Sequence, residues 1–299
     1  MNLEEVRKYK SLDLLARQVV EGFITGMHKS PFHGFSVEFA EHKPYNVGES
    51  TKNIDWRLFA KTNKLYVKRF DEETNLRCHI VVDTSSSMFF PENENKKIKF
   101  ATFAAASLAY LLKKQRDAFG LSLFNDTLKY HSEVKSSNSH FNVILHELDK
   151  VLESKPVNAQ TNVADTLHLI AGKIHKRSMV VLFTDMFEPD RDLEPMFNAL
   201  QHLKHKKHEV ILFHTLDGEK ERNFEYSNRP LKFVDTESNE VIKLYPNEVQ
   251  KVYKEKMEAF YKELKNKCGM YKIDFVEADV NKDFSQILLP FLLKRQKMT

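Results

Sequence analysis

Three short oxygen-bearing side chains stand at alternate positions in CHIVVDTSSSM: Asp83, Ser85 and Ser87. The apolar, β-branched run before them reads as a buried strand, which puts all three at a strand's carboxyl end. Alternation on a strand-to-loop turn lets carboxylate and hydroxyl oxygens converge on one point. Such oxygens suit a hard divalent cation, and Mg2+ asks for near-octahedral geometry with several waters retained. Two further residues follow in the chain. Thr161 opens a helical segment, TNVADTLHLI, and Asp185 ends another buried run, VVLFTD. The expected site has Ser85, Ser87 and Thr161 binding a metal through their hydroxyls. Asp83 and Asp185 balance its charge, largely through metal-bound water, and one coordination position stays open. The ion is Mg2+, with Mn2+ or Ca2+ as alternates. The plainer reading of the first three residues is a polar turn that caps the next helix.

These residues need elements to position them. CHIVVD (78–83), FGLSLF (119–124), MVVLFT (179–184), VILFHT (210–215) and 271–276 read as strands, with 127–131 as a hairpin partner of the second. Helical patterns lie between them, at 98–114, 141–152, 163–174, 193–203, 246–267 and 284–294. Continuous apolar strands alternating with helices predict an α/β fold with a doubly wound, mostly parallel sheet covered on both faces. Ligand sites in such sheets lie outside the carboxyl ends of the strands, near the point where strand order reverses. Before this body come an amphipathic helix over 11–27 and a segment over 31–75 rich in aromatics and turn residues, read as short strands and loops. The expected division is therefore 1–76, a helix plus a strand-rich segment, and 77–299, the α/β domain. A hairpin insertion is expected near 229–245, where Leu231–Val234 and Val241–Leu244 flank DTESNE.

Composition bounds what such a chain does. Its 299 residues are 41% hydrophobic and 29% charged, an ordinary globular mix, with a net charge of +4 that neither requires nor excludes an acidic partner. Eight glycines and a lone Gly-Lys pair (Gly172-Lys173, followed by Ile174) exclude a Walker phosphate loop. No Gly-x-Ser-x-Gly elbow exists for a serine hydrolase. Two cysteines, Cys78 and Cys268, build neither a disulfide scaffold nor a four-cysteine zinc site. The amino terminus lacks a signal-peptide core, and the longest uncharged helical stretch, 101–112, falls short of the roughly 20 residues that span a bilayer. The expectation is a soluble, cytoplasmic protein without stable membrane insertion.

Asp-x-Ser-x-Ser with a distant Thr and a distant Asp resembles the metal-ion-dependent adhesion site of von Willebrand factor A domains. The strand and helix order from 77 to 299 agrees with that fold. The preceding SVEFAEHKPYNVGESTKNIDWRLFAKTNKLYVKRFDEE is similar to the signature of the bacterial family called domain of unknown function 58. Glu38, Phe39, Glu41, Tyr45, Gly48, Ile54, Asp55, Trp56, Arg57, Ala60, Leu65, Tyr66, Val67, Lys68 and Phe70 fall in matching places. Lys43 and Lys52 stand where the family often has Arg, and the third metal segment reads Thr-Asp-Met instead of Thr-Asp-Gly. The resemblance implies a non-enzymatic interaction module that works with a MoxR-type AAA+ ATPase in protein assembly, activation or metal insertion. The open position on the metal would accept an Asp or Glu carboxylate from the protein partner.

Other functions read less well. An aspartyl phosphatase at Asp83 wants a second carboxylate two residues on, where Ser85 stands, so Mg2+-dependent phosphoryl transfer or hydrolysis is poorly equipped. The basic and aromatic stretch 56–70, with Trp56, Arg57, Lys61, Lys64, Tyr66, Lys68, Arg69 and Phe70, suits single-stranded nucleic acid. It suits a packed, strand-rich segment with solvated charges better, and no nucleic-acid partner is expected. His202, His205 and His208 recur every three residues at a helix end, where cations favour the helix dipole over zinc chelation.

Overall fold

The structure is a computed structural model. It describes residues 11–24, 35–45, 54–74, 76–91, 94–155, 163–186, 194–234, 240–284 and 286–288. Elements in chain order are α1 (Leu12–Ile24), β1 (Phe35–Pro44), α2 (Trp56–Thr62), β2 (Tyr66–Thr74), β3 (Arg77–Asp83), α3 (Lys96–Lys114), β4 (Ala118–Phe124) and β5 (Leu128–His131). After these come α4 (Asn138–Glu153), α5 (Val163–Lys173), β6 (Met179–Thr184), α6 (Glu194–His205), β7 (Glu209–Leu216), β8 (Leu231–Val234), β9 (Val241–Leu244), α7 (Pro246–Met270) and β10 (Asp274–Asp279).

Contacts group the chain into a smaller unit, Ser30–Leu76, and a larger one made of Met1–Lys29 with Arg77–Thr299. Sequence order sets α1 beside the strand-rich segment, but its apolar stripe belongs to the larger unit. Leu12, Leu15, Ala16, Val19 and Val20 are buried, and α1 packs on α3, where Tyr110 donates its hydroxyl to Glu21 at 3.4 Å. In the smaller unit β1 and β2 pair antiparallel from Phe35 opposite Thr74 to Pro44 opposite Tyr66. There Asp55 caps α2 by accepting the backbone N–H of Arg57 at 3.0 Å and of Leu58 at 3.1 Å, and Asn63 closes the helix at φ 55°.

The larger unit is built on a six-stranded sheet in the order β10-β7-β6-β3-β4-β5. All neighbours are parallel except β4 and β5, which form an antiparallel edge. Both faces are covered, so β3, β6 and β7 are apolar along nearly their whole length. On one face Val81, Val180, Leu182, Val210 and Leu212 share a core with Leu167 and Ile170 of α5, Phe197 and Leu200 of α6, and Met257 and Leu264 of α7. The steps β3-α3-β4 and β6-α6-β7 run in opposite directions along the sheet, so right-handed crossovers place α3 on the other face. There α3 lies between the sheet and the pair α1 and α4, and it is buried almost all round.

The chain leaves β3 toward β4 and β5, then returns past β3 to β6 before continuing to β7 and β10. Strand order therefore reverses between β3 and β6, the place where open α/β sheets form a crevice outside the carboxyl ends of their strands. The hairpin β8–β9 is inserted between β7 and α7, with Leu231 opposite Leu244 and Val234 opposite Val241. Of the helix expected over 284–294, the described part ends at residue 288.

Candidate functional site

At the reversal point Asp83 is the last residue of β3, and Asp185 follows the last residue of β6. Neighbouring strands thus deliver two carboxylates to one crevice. Both are buried, Asp83 to 1% exposure and Asp185 to 5%. Asp83 is held from two sides. Its Oδ1 accepts the backbone N–H of Ser85 at 2.9 Å, and its Oδ2 accepts the Thr184 hydroxyl at 2.7 Å. The first contact folds the chain back directly after the strand and points Ser85 and Ser87 to the same place, their Oγ atoms 3.1 Å apart. The turn then tightens into a 3-10 segment, Ser86–Phe89, whose Met88 and Phe89 are buried.

Asp185 is held differently. Its Oδ2 accepts from Lys97 Nζ at 2.8 Å, and the same ammonium lies 2.5 Å from Glu221 Oε1. Lys97 comes from the first turn of α3, and its side chain is fully buried. Glu221 sits in a single wide, π-helical turn, Gly218–Arg222, just after β7, and its Oε2 accepts the N–H of Asp217 at 2.6 Å. Asp217 in turn receives Asn281 Nδ2 at 2.6 Å, and Asp279, the last residue of β10, receives the N–H of Gly218 at 3.0 Å.

This arrangement pushes the two carboxyls apart in acidity. Burial, with the Asp185 charge added, raises Asp83 to about 7. Burial also disfavours the Asp185 carboxylate, but the Lys97 ammonium and the Ser87 hydroxyl outweigh it and hold its pKa below the usual value. Lys97 compensates one acid of the pair and leaves the other in excess. Glu221 is raised by burial, against the pull of Lys97. Beneath them His214 of β7 is wholly buried and kept neutral, its imidazole down to about 4.

The structure brings together four of the residues singled out from sequence: Asp83, Ser85, Ser87 and Asp185. Thr161 lies outside the described residues. Lys97 and Glu221 carry no motif. The helix expected over 98–114 starts one residue too late to include Lys97. Helical spacing from Lys97 to Ala101, Ala104 and Leu108, all buried, is the signal that marks it.

The residues fit a small hard cation. Adjacent oxygens of an octahedron with bonds of about 2.1 Å lie about 3.0 Å apart, as expected for Mg2+. The serine hydroxyls meet that spacing at 3.1 Å. Each carboxylate already accepts hydrogen bonds from the protein. Among the described residues no three His, Cys, Asp or Glu side chains form a metal cluster of their own. The helix-end histidines have other employment. His208 is buried and accepts the N–H of Ser178 at 3.2 Å, and His202 Nδ1 lies 3.0 Å from Nδ1 of His168. Trp56 of the basic and aromatic stretch is 61% exposed.

Residues 41–262 match the family described as protein of unknown function DUF58. The uncharacterized protein Rv1480 of Mycobacterium tuberculosis is 23% identical over 208 residues, covering 70% of this chain and 64% of that protein. The chain thus spans about two thirds of the length of the curated relatives it matches. Among solved structures, the conserved hypothetical protein BatB from Bacteroides thetaiotaomicron aligns with a TM-score of 0.44 at 15% identity, over 75% of this chain and all of that one. An aerotolerance-related membrane protein from Bacteroides fragilis aligns at 0.45 and 15%, over 73% of this chain and 99% of the other. Among the described residues no helix is long and apolar enough to cross a membrane.

Proposed function

The chain belongs to the family of proteins of unknown function DUF58, and from that membership we propose a metal-dependent protein-interaction module of von Willebrand A type. The observation that carries the reading is the convergence of Asp83, Ser85, Ser87 and Asp185 where strand order reverses, with two hydroxyls at octahedral spacing above an acid in excess. A Mg2+ or Mn2+ ion held by Ser85, Ser87 and Thr161, with Asp83 and Asp185 behind them, supplies a point charge at the rim of the sheet. An Asp or Glu of a partner completes its coordination through a charge-assisted contact at a partly dry site. In this reading the protein's groups bind and orient, and the role is not enzymatic. Both Asp83 oxygens are engaged inside the fold, which suits a counter-charge better than a nucleophile.

The partner is a MoxR-type AAA+ ATPase, the class that the family signature suggests, and the module serves it as an adaptor. A cytoplasmic location agrees with Cys78 and Cys268, both buried free thiols. The test is binding between this protein and a purified MoxR-type ATPase of the same organism, in millimolar Mg2+ and again in chelator. The reading expects a complex in the first condition only. An equally stable complex in chelator removes the metal bridge from the account.

A further inference from the structure

Lys97 brings a positive charge to the place proposed for a cation. A buried ammonium is stable only when paired acids offset its lost hydration. Here Asp185 and Glu221 do so, at 2.8 and 2.5 Å. Its origin in the first turn of α3 adds to the cost, since a helix amino terminus favours negative charge. A lysine set there against both gradients has a specific electrostatic task. Two acids, Asp185 and Glu221, pair with this one base, and a third, Asp83, lies beside Asp185. With all three acids ionised, the excess of two negative charges equals the charge of one divalent ion.

We infer that Lys97 is a built-in competitor of the divalent cation, which holds Asp185 and sets the affinity of the site low. The inference rests on the cation reading above and adds its regulation. With Lys97 in place, Asp185 offers an incoming ion one oxygen that already serves an ammonium. An ion on the serine hydroxyls also meets the repulsion of a fixed positive charge in a medium of low polarity. The ion is therefore held weakly until a partner carboxylate adds the missing negative charge, so cation and partner bind with positive coupling. Glu221 belongs to the device: it anchors Lys97 from the turn after β7 and ties that turn to the site through Asp217.

The experiment is calorimetric titration of Mg2+ into the wild type, Lys97→Met and the double variant Lys97→Met/Glu221→Gln. The single variant removes the competitor and leaves an extra negative charge. The double variant restores the original net charge and leaves one buried acid, Asp185, without its ammonium instead of two, so it carries the test if the single one does not fold. Both variants are expected to bind Mg2+ tighter than wild type, the single variant by about tenfold or more. Equal affinity in all three proteins, or weaker binding in the variants, overturns the role of Lys97 and leaves the cation site standing. No Mg2+ binding in any of the three overturns the site and this inference together. Binding in the variants alone supports the inference in its strongest form.

Discussion

Thr184 donates its hydroxyl to Asp83 Oδ2 at 2.7 Å, joining the last residue of β6 to the last residue of β3. The bond crosses the crevice where strand order reverses, so the floor of the site is braced by the fold itself. Thr184 is fully buried, and its Oγ also accepts the N–H of Met186 at 3.2 Å, which turns the chain out of β6 at φ 46°. Thr184→Val keeps the shape and removes both contacts. Loss of a buried bond to a charged acceptor costs about 1.5–3 kcal/mol. A fall of that size in unfolding free energy is expected by urea denaturation, together with weaker Mg2+ binding. Undiminished stability would show that the brace is not needed.

Ser87 separates binding from folding. Its hydroxyl lies part-buried at the rim, beside Ser85 Oγ and within reach of Asp185. Ser87→Ala removes one direct ligand and one hydroxyl that favours the Asp185 carboxylate but no core packing, so the fold should survive in chelator with an unfolding free energy lower by about 0.5–1.5 kcal/mol. Partner binding in Mg2+ should be lost. A variant that still captures the partner at wild-type strength refutes the bridging ion.

His79 gives the larger unit a dependence on pH away from the site. Its Nε2 is hydrogen-bonded to Ser122 Oγ at 2.8 Å, which in turn meets His131 Nδ1 at 2.9 Å. Burial first, then the neighbouring imidazoles, depress its pKa from 6.5 to about 3. The unfolded chain takes up a proton below about 6.5 that the folded chain refuses. Stability is thus fully present above that pH and is lost as pH falls toward 3, by at most about 1.4 kcal/mol per unit. Asp83, raised to about 7, acts in the opposite direction. The difference between wild type and His79→Gln, measured by denaturant titration from pH 7.5 to 5, isolates the histidine. It should shrink as pH falls, and a constant difference contradicts the neutral buried imidazole.

Gly218 fixes the turn that carries Glu221. A Cβ at this position would land inside contact distance of the Asp279 carboxylate, which accepts the N–H of Gly218 at 3.0 Å and that of Asn281 at 3.1 Å. Gly218→Ala must therefore displace the Asp279 carboxylate and weaken its bonds to this turn, at a cost of about 1–3 kcal/mol. A lower melting temperature is expected, and an unchanged one would mean that the turn shifts freely and does not hold Glu221 in place.

Much of this organisation is legible in the sequence because it is written in burial. CHIVVD, MVVLFT and VILFHT are covered on both faces, so their continuous apolar runs identify central strands. Asp83 and Asp185 are visible as the first charges beyond such runs. Sequence does not show that β3 and β6 are neighbours; that follows from the crossovers, which bring together acids 102 positions apart. Lys97 is hidden because lysine at a helix start reads as a solvated end, and only the packing of α3 between sheet and helices buries it. Glu221 lies in DGEKERN, a polar run with no periodicity, where tertiary contacts alone distinguish one acid from the next.

The most direct measurement is the melting temperature of the purified protein across zero to ten millimolar Mg2+, beside Asp83→Asn. A ligand that binds only the folded state stabilises it by mass action. The account predicts a rise with Mg2+ in the wild type and a flat response in the variant. A wild-type curve that does not move, or a variant that rises in parallel with it, contradicts a cation held at the ends of β3 and β6.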